Sequence, residues 1–90
     1  MAILKIPTPL RSYTGGQVEV TLEGQTVGDA MGQLVQKYPT LRPHLYNGDG
    51  QLRPFVNLFV GRDNIRDLQG LQTLLDPQAR LLLVPSIAGG

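Results

Sequence analysis

Cysteine is absent from the 90 residues of this chain, and so is tryptophan. The first absence removes disulfides, thiolate zinc sites, thiolate-held iron–sulfur clusters and a cysteine nucleophile, which leaves packing as the source of stability. Histidine occurs once, at His44, so there is no second imidazole for a metal pair. Neither sign of charge dominates. Eight Lys and Arg stand against seven Asp and Glu, a net charge of +1 that gives no electrostatic ground for nucleic acid or an anionic membrane as the main partner. No apolar run exceeds four residues, as in Leu81–Val84, against the roughly 20 that a membrane-spanning helix needs. The opening MAILKIPTPL has neither the basic start nor the long apolar stretch of a targeting segment. Glycine-rich phosphate loops, nucleophile elbows and metal-ligand spacings are also missing. The expectation is a small cytoplasmic domain. At this length folding buries only about 60–65% of the extended chain's surface, which disfavours a deep active-site cavity and puts a carrier or binding module ahead of an enzyme.

What is there reads as an α+β pattern. Ala2, Leu4 and Ile6 alternate with Ile3 and Lys5 in a strand stopped by Pro7 and Pro9. Arg11–Gly16 carries paired glycines and predicts a turn, closing a hairpin with Gln17–Glu23, whose inner face is Val18, Val20 and Leu22. The apolar spacing of Val27, Ala30, Met31, Leu34, Val35 and Tyr38 predicts a helix. Thr26 is its N-cap, Asp29 completes a capping box, and Pro39 ends it. Gly28 and Gly32 each cost about 1 kcal/mol relative to Ala inside a helix, so close packing or a partner contact must offset them.

Pro43, Asn47-Gly48 and Asp49-Gly50 mark residues 41–53 as loop. Phe55–Val60 is a strand with Val56, Leu58 and Val60 on one face and Phe55, Asn57 and Phe59 on the other, the solvent side. Asn64–Arg66 reads as a short edge strand, and Leu68, Leu71, Leu74 and Leu75 as the packed residues of a connection. In the last strand, Ala79–Val84, Arg80 points to water with Leu82 and Val84 beside it, and Leu81 and Leu83 point inward. Together these give a mixed sheet on one main helix, a two-layer domain over residues 1–85 followed by a tail, 86–90.

Two features carry function. The open sheet face holds Phe55, Phe59, Leu82 and Val84 beside Arg80, a docking patch if the two strands are neighbours and ordinary scattered apolar residues if not, with burial under a loop or within the monomer as the other reading. The tail Ser86, Ile87, Ala88, Gly89 and Gly90 spans about 16 Å when extended. Its last two residues lack Cβ atoms, so the arm can thread a narrow channel and present its carboxylate to another protein's active site. His44 reads as an ordinary surface histidine, and Arg62 and Arg66 as solvated charges rather than a grip on an acidic partner.

Four segments carry a resemblance: IPTPLRSYTGGQ at 6–17, the helix after Thr26, RPFVNLFVGRDNIR at 53–66, and LLLVPSIAGG at 81–90. Through them the chain resembles the ubiquitin-like β-grasp sulfur carriers, the family of the small molybdopterin synthase subunit and the thiamin carrier, and within it the branch serving cysteine biosynthesis. The resemblance implies parallel first and last strands at the sheet centre. It also implies that an E1-like enzyme adenylates the Gly90 carboxylate with ATP, after which a sulfur donor converts it to a thiocarboxylate. In the cysteine branch a PLP-dependent cysteine synthase accepts that sulfur and a metal-dependent peptidase releases the product. ATP, PLP and zinc then belong to the partner enzymes, with no cofactor held by this chain. Delivery to molybdopterin or thiamin precursors, conjugation to lysines as a ubiquitin-like modifier, and an interaction module with an inert tail stay open as alternatives.

Overall fold

The computed structural model describes residues 1–53 and 56–85. Seven elements organise them: β1 (Ala2–Lys5), β2 (Glu19–Leu22), α1 (Val27–Lys37), α2 (Arg42–Leu45), β3 (Val56–Val60), β4 (Asp63–Asn64) and β5 (Arg80–Pro85), with 3-10 turns between several of them. The strands form one sheet in the order β2-β1-β5-β3-β4. β1 and β5 run parallel at its centre, and the other pairings are antiparallel. This is the ubiquitin-like β-grasp arrangement, with α1 as the second layer.

Strand alternation divides the sheet as the residue pattern requires. Leu4, Val20, Leu22, Leu58, Leu81 and Leu83 are buried, and the helix residues Val27, Ala30, Met31, Leu34 and Val35 close the core over them. Burying each side chain of Val or Leu size stabilises the fold by roughly 1.5–3 kcal/mol before entropy costs. The N-terminus of α1 is capped as expected. Thr26 Oγ1 accepts from Asp29 N at 3.1 Å, and Asp29 Oδ2 accepts from Thr26 N at 3.3 Å and from Gln25 N at 3.2 Å. A backbone clamp adds to this, because Val27 N donates to Thr73 O at 2.9 Å and Leu75 N to Gln25 O at 2.8 Å. The same crossing accounts for Gly28, where a Cβ would stand 3.0 Å from Leu71 O. Gly32 is exposed with open space around it, and nothing in the structure explains it.

Several expectations are corrected. The segment after β1 is not a bare glycine turn but a 3-10 helix, Thr8–Thr14, ended by Gly15 in the left-handed region at φ 66°. It buries Leu10 and Thr14, and Thr14 Oγ1 lies 3.1 Å from Arg11 O and 3.2 Å from Gln17 O. With β1 already ended at Lys5, the hairpin ladder begins at Glu19, and Val18 is 47% exposed instead of inward. Residues 41–53 are not simply loop either. α2 and the turn before it bury Leu41 and Leu45 completely, and a Tyr46–Leu52 bridge closes the tip. Of the four connection leucines, Leu71 and Leu75 pack on the core, whereas Leu68 and Leu74 are exposed. The chain is extended where Thr26 pairs with Leu74, so Thr73 turns inward and Leu74 outward. The edge strand is Asp63–Asn64, and Ile65–Asp67 turns as a 3-10 helix that buries Ile65.

Candidate functional site: the open sheet face

The side of the sheet away from α1 has no second layer among the described residues. Register assembles its centre. Leu82 lies opposite Phe59 on one side and Lys5 on the other; Val84 lies opposite Asn57, and Ile3 beside Arg80. Because β3 and β5 are adjacent, Phe59, Leu82 and Val84 form one surface. Leu82 and Val84 are 39% and 38% exposed in the same strand in which Leu81 and Leu83 are buried. Phe59 and Ile3 are half-buried. A contiguous apolar surface at a sheet centre, left uncovered, marks a docking site more than scattered exposed leucines would.

Charge borders this patch. Arg80 Nη1 stands 3.9 Å from Glu19 Oε2 with both side chains largely in solvent, a pair of little value to the fold and easily exchanged for a partner's groups. Beside it, Ile3, Lys5, Glu19, Gly61 and Leu82 border a shallow depression of about 230 Å3.

Of the expected site residues, Phe59, Arg80, Leu82 and Val84 share this face, on strands β3 and β5. Phe55 and the whole tail, Ser86, Ile87, Ala88, Gly89 and Gly90, lie outside the described residues. β5 runs to Pro85, directly ahead of that tail.

Arg66 is exposed, as expected of an edge charge, and its guanidinium is also tied to the chain. Its Nη1 donates to Asn57 Oδ1 at 2.8 Å, and its Nη2 donates to Val56 O at 2.9 Å and Arg53 O at 3.2 Å. Asn64 orients this network, accepting from Arg66 N at 2.9 Å and donating to Asn57 Oδ1 at 3.3 Å. Because β4 is only two residues long, the guanidinium takes the place of strand pairing along the start of β3, opposite Val84 and Pro85. Asn57 in mid-strand is the visible sequence signal for this cluster, but its partners depend on the fold of residues 64–66. His44 packs against Tyr13 with ring centroids 4.4 Å apart, joining α2 to the first 3-10 helix.

A second charged feature, absent from the sequence reading, lies before β3. Arg42, Tyr46, Asn47, Gly48, Gly50 and Arg53 line an open cleft of about 460 Å3. The Arg42 guanidinium sits 5.8 Å from the Tyr46 ring centroid. Burial pushes the Tyr46 hydroxyl above its ordinary value, against the opposing pull of the Arg42 charge. Among the described residues no cluster of three His, Asp or Glu is placed to hold a metal, and no helix is long and apolar enough to cross a membrane.

Comparison with known proteins gives this geometry its context. The profile of the ThiS family matches residues 4–90, a span that includes the terminal glycines. The sulfur carrier protein CysO of Mycobacterium tuberculosis is 34% identical over 89 residues, covering 97% of this chain and 96% of the relative. In the crystal structure of the Amycolatopsis orientalis BexX/CysO complex, the matching chain superposes with a TM-score of 0.90 at 28% identity and full coverage of both chains. The small archaeal modifier protein 1 of Methanosarcina acetivorans superposes with a TM-score of 0.88 at 32% identity, over 99% of this chain and 95% of that one.

Proposed function

The chain belongs to the ThiS family, and from that premise we propose that it is a sulfur carrier whose Gly90 carboxylate is activated and converted to a thiocarboxylate. The observation that supports the reading most is the run of β5. Its exposed Leu82 and Val84 form a docking surface with Phe59, and the same strand leads into Pro-Ser-Ile-Ala-Gly-Gly. A partner that grips the face is thereby in reach of the tail.

The chemistry needs two steps. A carboxylate is a poor electrophile, so one of its oxygens attacks the α-phosphate of ATP on an E1-like enzyme and displaces pyrophosphate. The acyl-adenylate then loses AMP to a sulfur nucleophile, and the C–S bond replaces the C–O bond at Gly90. The product is a sulfur nucleophile that needs no cysteine side chain, in keeping with a chain that has none. ATP is consumed on the activating enzyme. The acceptor proposed first is a PLP-dependent cysteine synthase, with a metal-dependent peptidase releasing the cysteine afterwards, a route supported by the likeness to CysO. The chain itself is a protein co-substrate of these enzymes.

The likeness to a small archaeal modifier protein favours a second reading, conjugation of Gly90 to lysines of other proteins. One experiment separates the two. Protein recovered from its host is treated with a thiol alkylating reagent, and intact and C-terminal-peptide masses are recorded. The carrier reading expects a label on Gly90, because this chain has no other thiol. An unlabelled chain, even after incubation with ATP, a sulfur source and host extract, overturns it. Isopeptide-linked Gly90 on lysines would move the modifier reading ahead.

A further inference from the structure

The cleft before β3 is absorbed neither by the core nor by the apolar patch. Two guanidiniums, Arg42 and Arg53, stand on its walls with Tyr46 between α2 and the glycine-containing turn at 47–51. The turn is built around Asn47, whose Oδ1 accepts from Asp49 N at 2.9 Å and Gln51 N at 3.1 Å, while Arg53 Nε donates to Pro43 O at 2.9 Å and fixes one wall. Asp49 is the one acid between residues 42 and 53, and it is not among the lining residues. Among the described residues the one ion pair is Arg80–Glu19, so neither cleft guanidinium pairs with a carboxylate of those residues.

Hydrogen bonds also link the cleft to the open face. Arg53 O accepts from Arg66, Arg66 also holds Asn57, and Asn57 lies opposite Val84. Guanidinium forks match carboxylates in geometry as well as charge, and an arginine stacked near an aromatic ring loses less freedom on binding.

We infer that the Arg42–Tyr46–Arg53 cleft is a second contact of the docking surface and takes the carboxylates of an acidic segment on the protein that engages the tail. The inference rests on the carrier reading for who that partner is, but the cleft's binding chemistry is measurable without the partner. The full chain, labelled with 15N, is titrated with a hexaglutamate peptide and separately with inorganic phosphate at matched ionic strength. The expected result is saturable shifts of the Gly48, Gly50 and Arg53 amides with the peptide. In Arg42→Glu the apparent Kd rises at least tenfold, and the rest of the spectrum stays unchanged. Equal response to phosphate at that ionic strength reduces the cleft to a small-anion site and overturns the inference, as does an unsaturable response or an R42E titration like the wild type. The alkylation assay decides the carrier reading independently. In that assay R42E is loaded at least fivefold more slowly than wild type at low salt, and equal loading of the two also overturns the inference.

Discussion

The two faces of the central sheet are made from the same strands and nearly the same residue types, yet they do opposite things. In β5 the inward Leu81 and Leu83 are sealed beneath α1, while Leu82 and Val84, one position along, keep more than a third of their surface in water. A leucine's role here is set by parity in the strand and by which side the helix lies on. The buried face holds the fold together, and the open face is apolar surface that the fold leaves uncovered.

The sharpest way to break the comparison is to remove the last residues of the segment that follows β5. Deleting Gly89 and Gly90 is expected to abolish sulfur loading with no change in melting temperature, measured by alkylation and by thermal unfolding. A large drop in melting temperature would show that the tail is structural. Next come adjacent leucines. Leu83→Ala removes a fully packed side chain and is expected to cost about 2–5 kcal/mol in denaturant unfolding, whereas Leu82→Ala costs less than about 1 kcal/mol. Similar losses from both would mean that the open face is covered.

Charge on the open face sharpens the contrast further. Phe59→Asp or Leu82→Asp is expected to leave the fold cooperative and to slow activation at least tenfold, because an apolar contact of about 1.4 kcal/mol corresponds to a factor of ten. Normal activation of a folded variant would exclude this face as the docking surface.

How much of this was legible in the residues follows the range of the interactions. The α1 stripe, its Thr26–Asp29 cap, and the inside and outside of β1, β3 and β5 depend on period and near neighbours, and the sequence carries them. Resemblance supplied the strand order, and with it the adjacency of Phe59 and Leu82 that makes a patch of two separate apolar rows. What escaped depends on contacts between distant turns. Arg11–Gly16, with its paired glycines, reads as a turn because nothing local says that Leu10 and Thr14 are buried. Leu41 and Leu45 were hidden in a stretch whose proline and glycines signal loop. Arg42 and Arg53 stand eleven positions apart in sequence, and only the bridged turn at Tyr46 and Leu52 makes them two walls of one cleft.

Arg66 is where the two regions meet, and its removal is expected to have the smallest effect of the four. The guanidinium is exposed, so its three hydrogen bonds to Asn57, Val56 and Arg53 are screened by water and together contribute about 1 kcal/mol. For a domain of this size Arg66→Ala then lowers the melting temperature by about 4–8 °C. The loss is local: amide exchange quickens at residues 56–58, where the short β4 gives no ladder, and stays unchanged in α1, whose cap and clamp lie elsewhere. Arg66→Lys restores charge but cannot reach three acceptors as a planar fork, so its exchange follows the alanine variant rather than the wild type. If lysine rescues protection fully, charge alone holds the start of β3, and the guanidinium's geometry is not what keeps the open face in register.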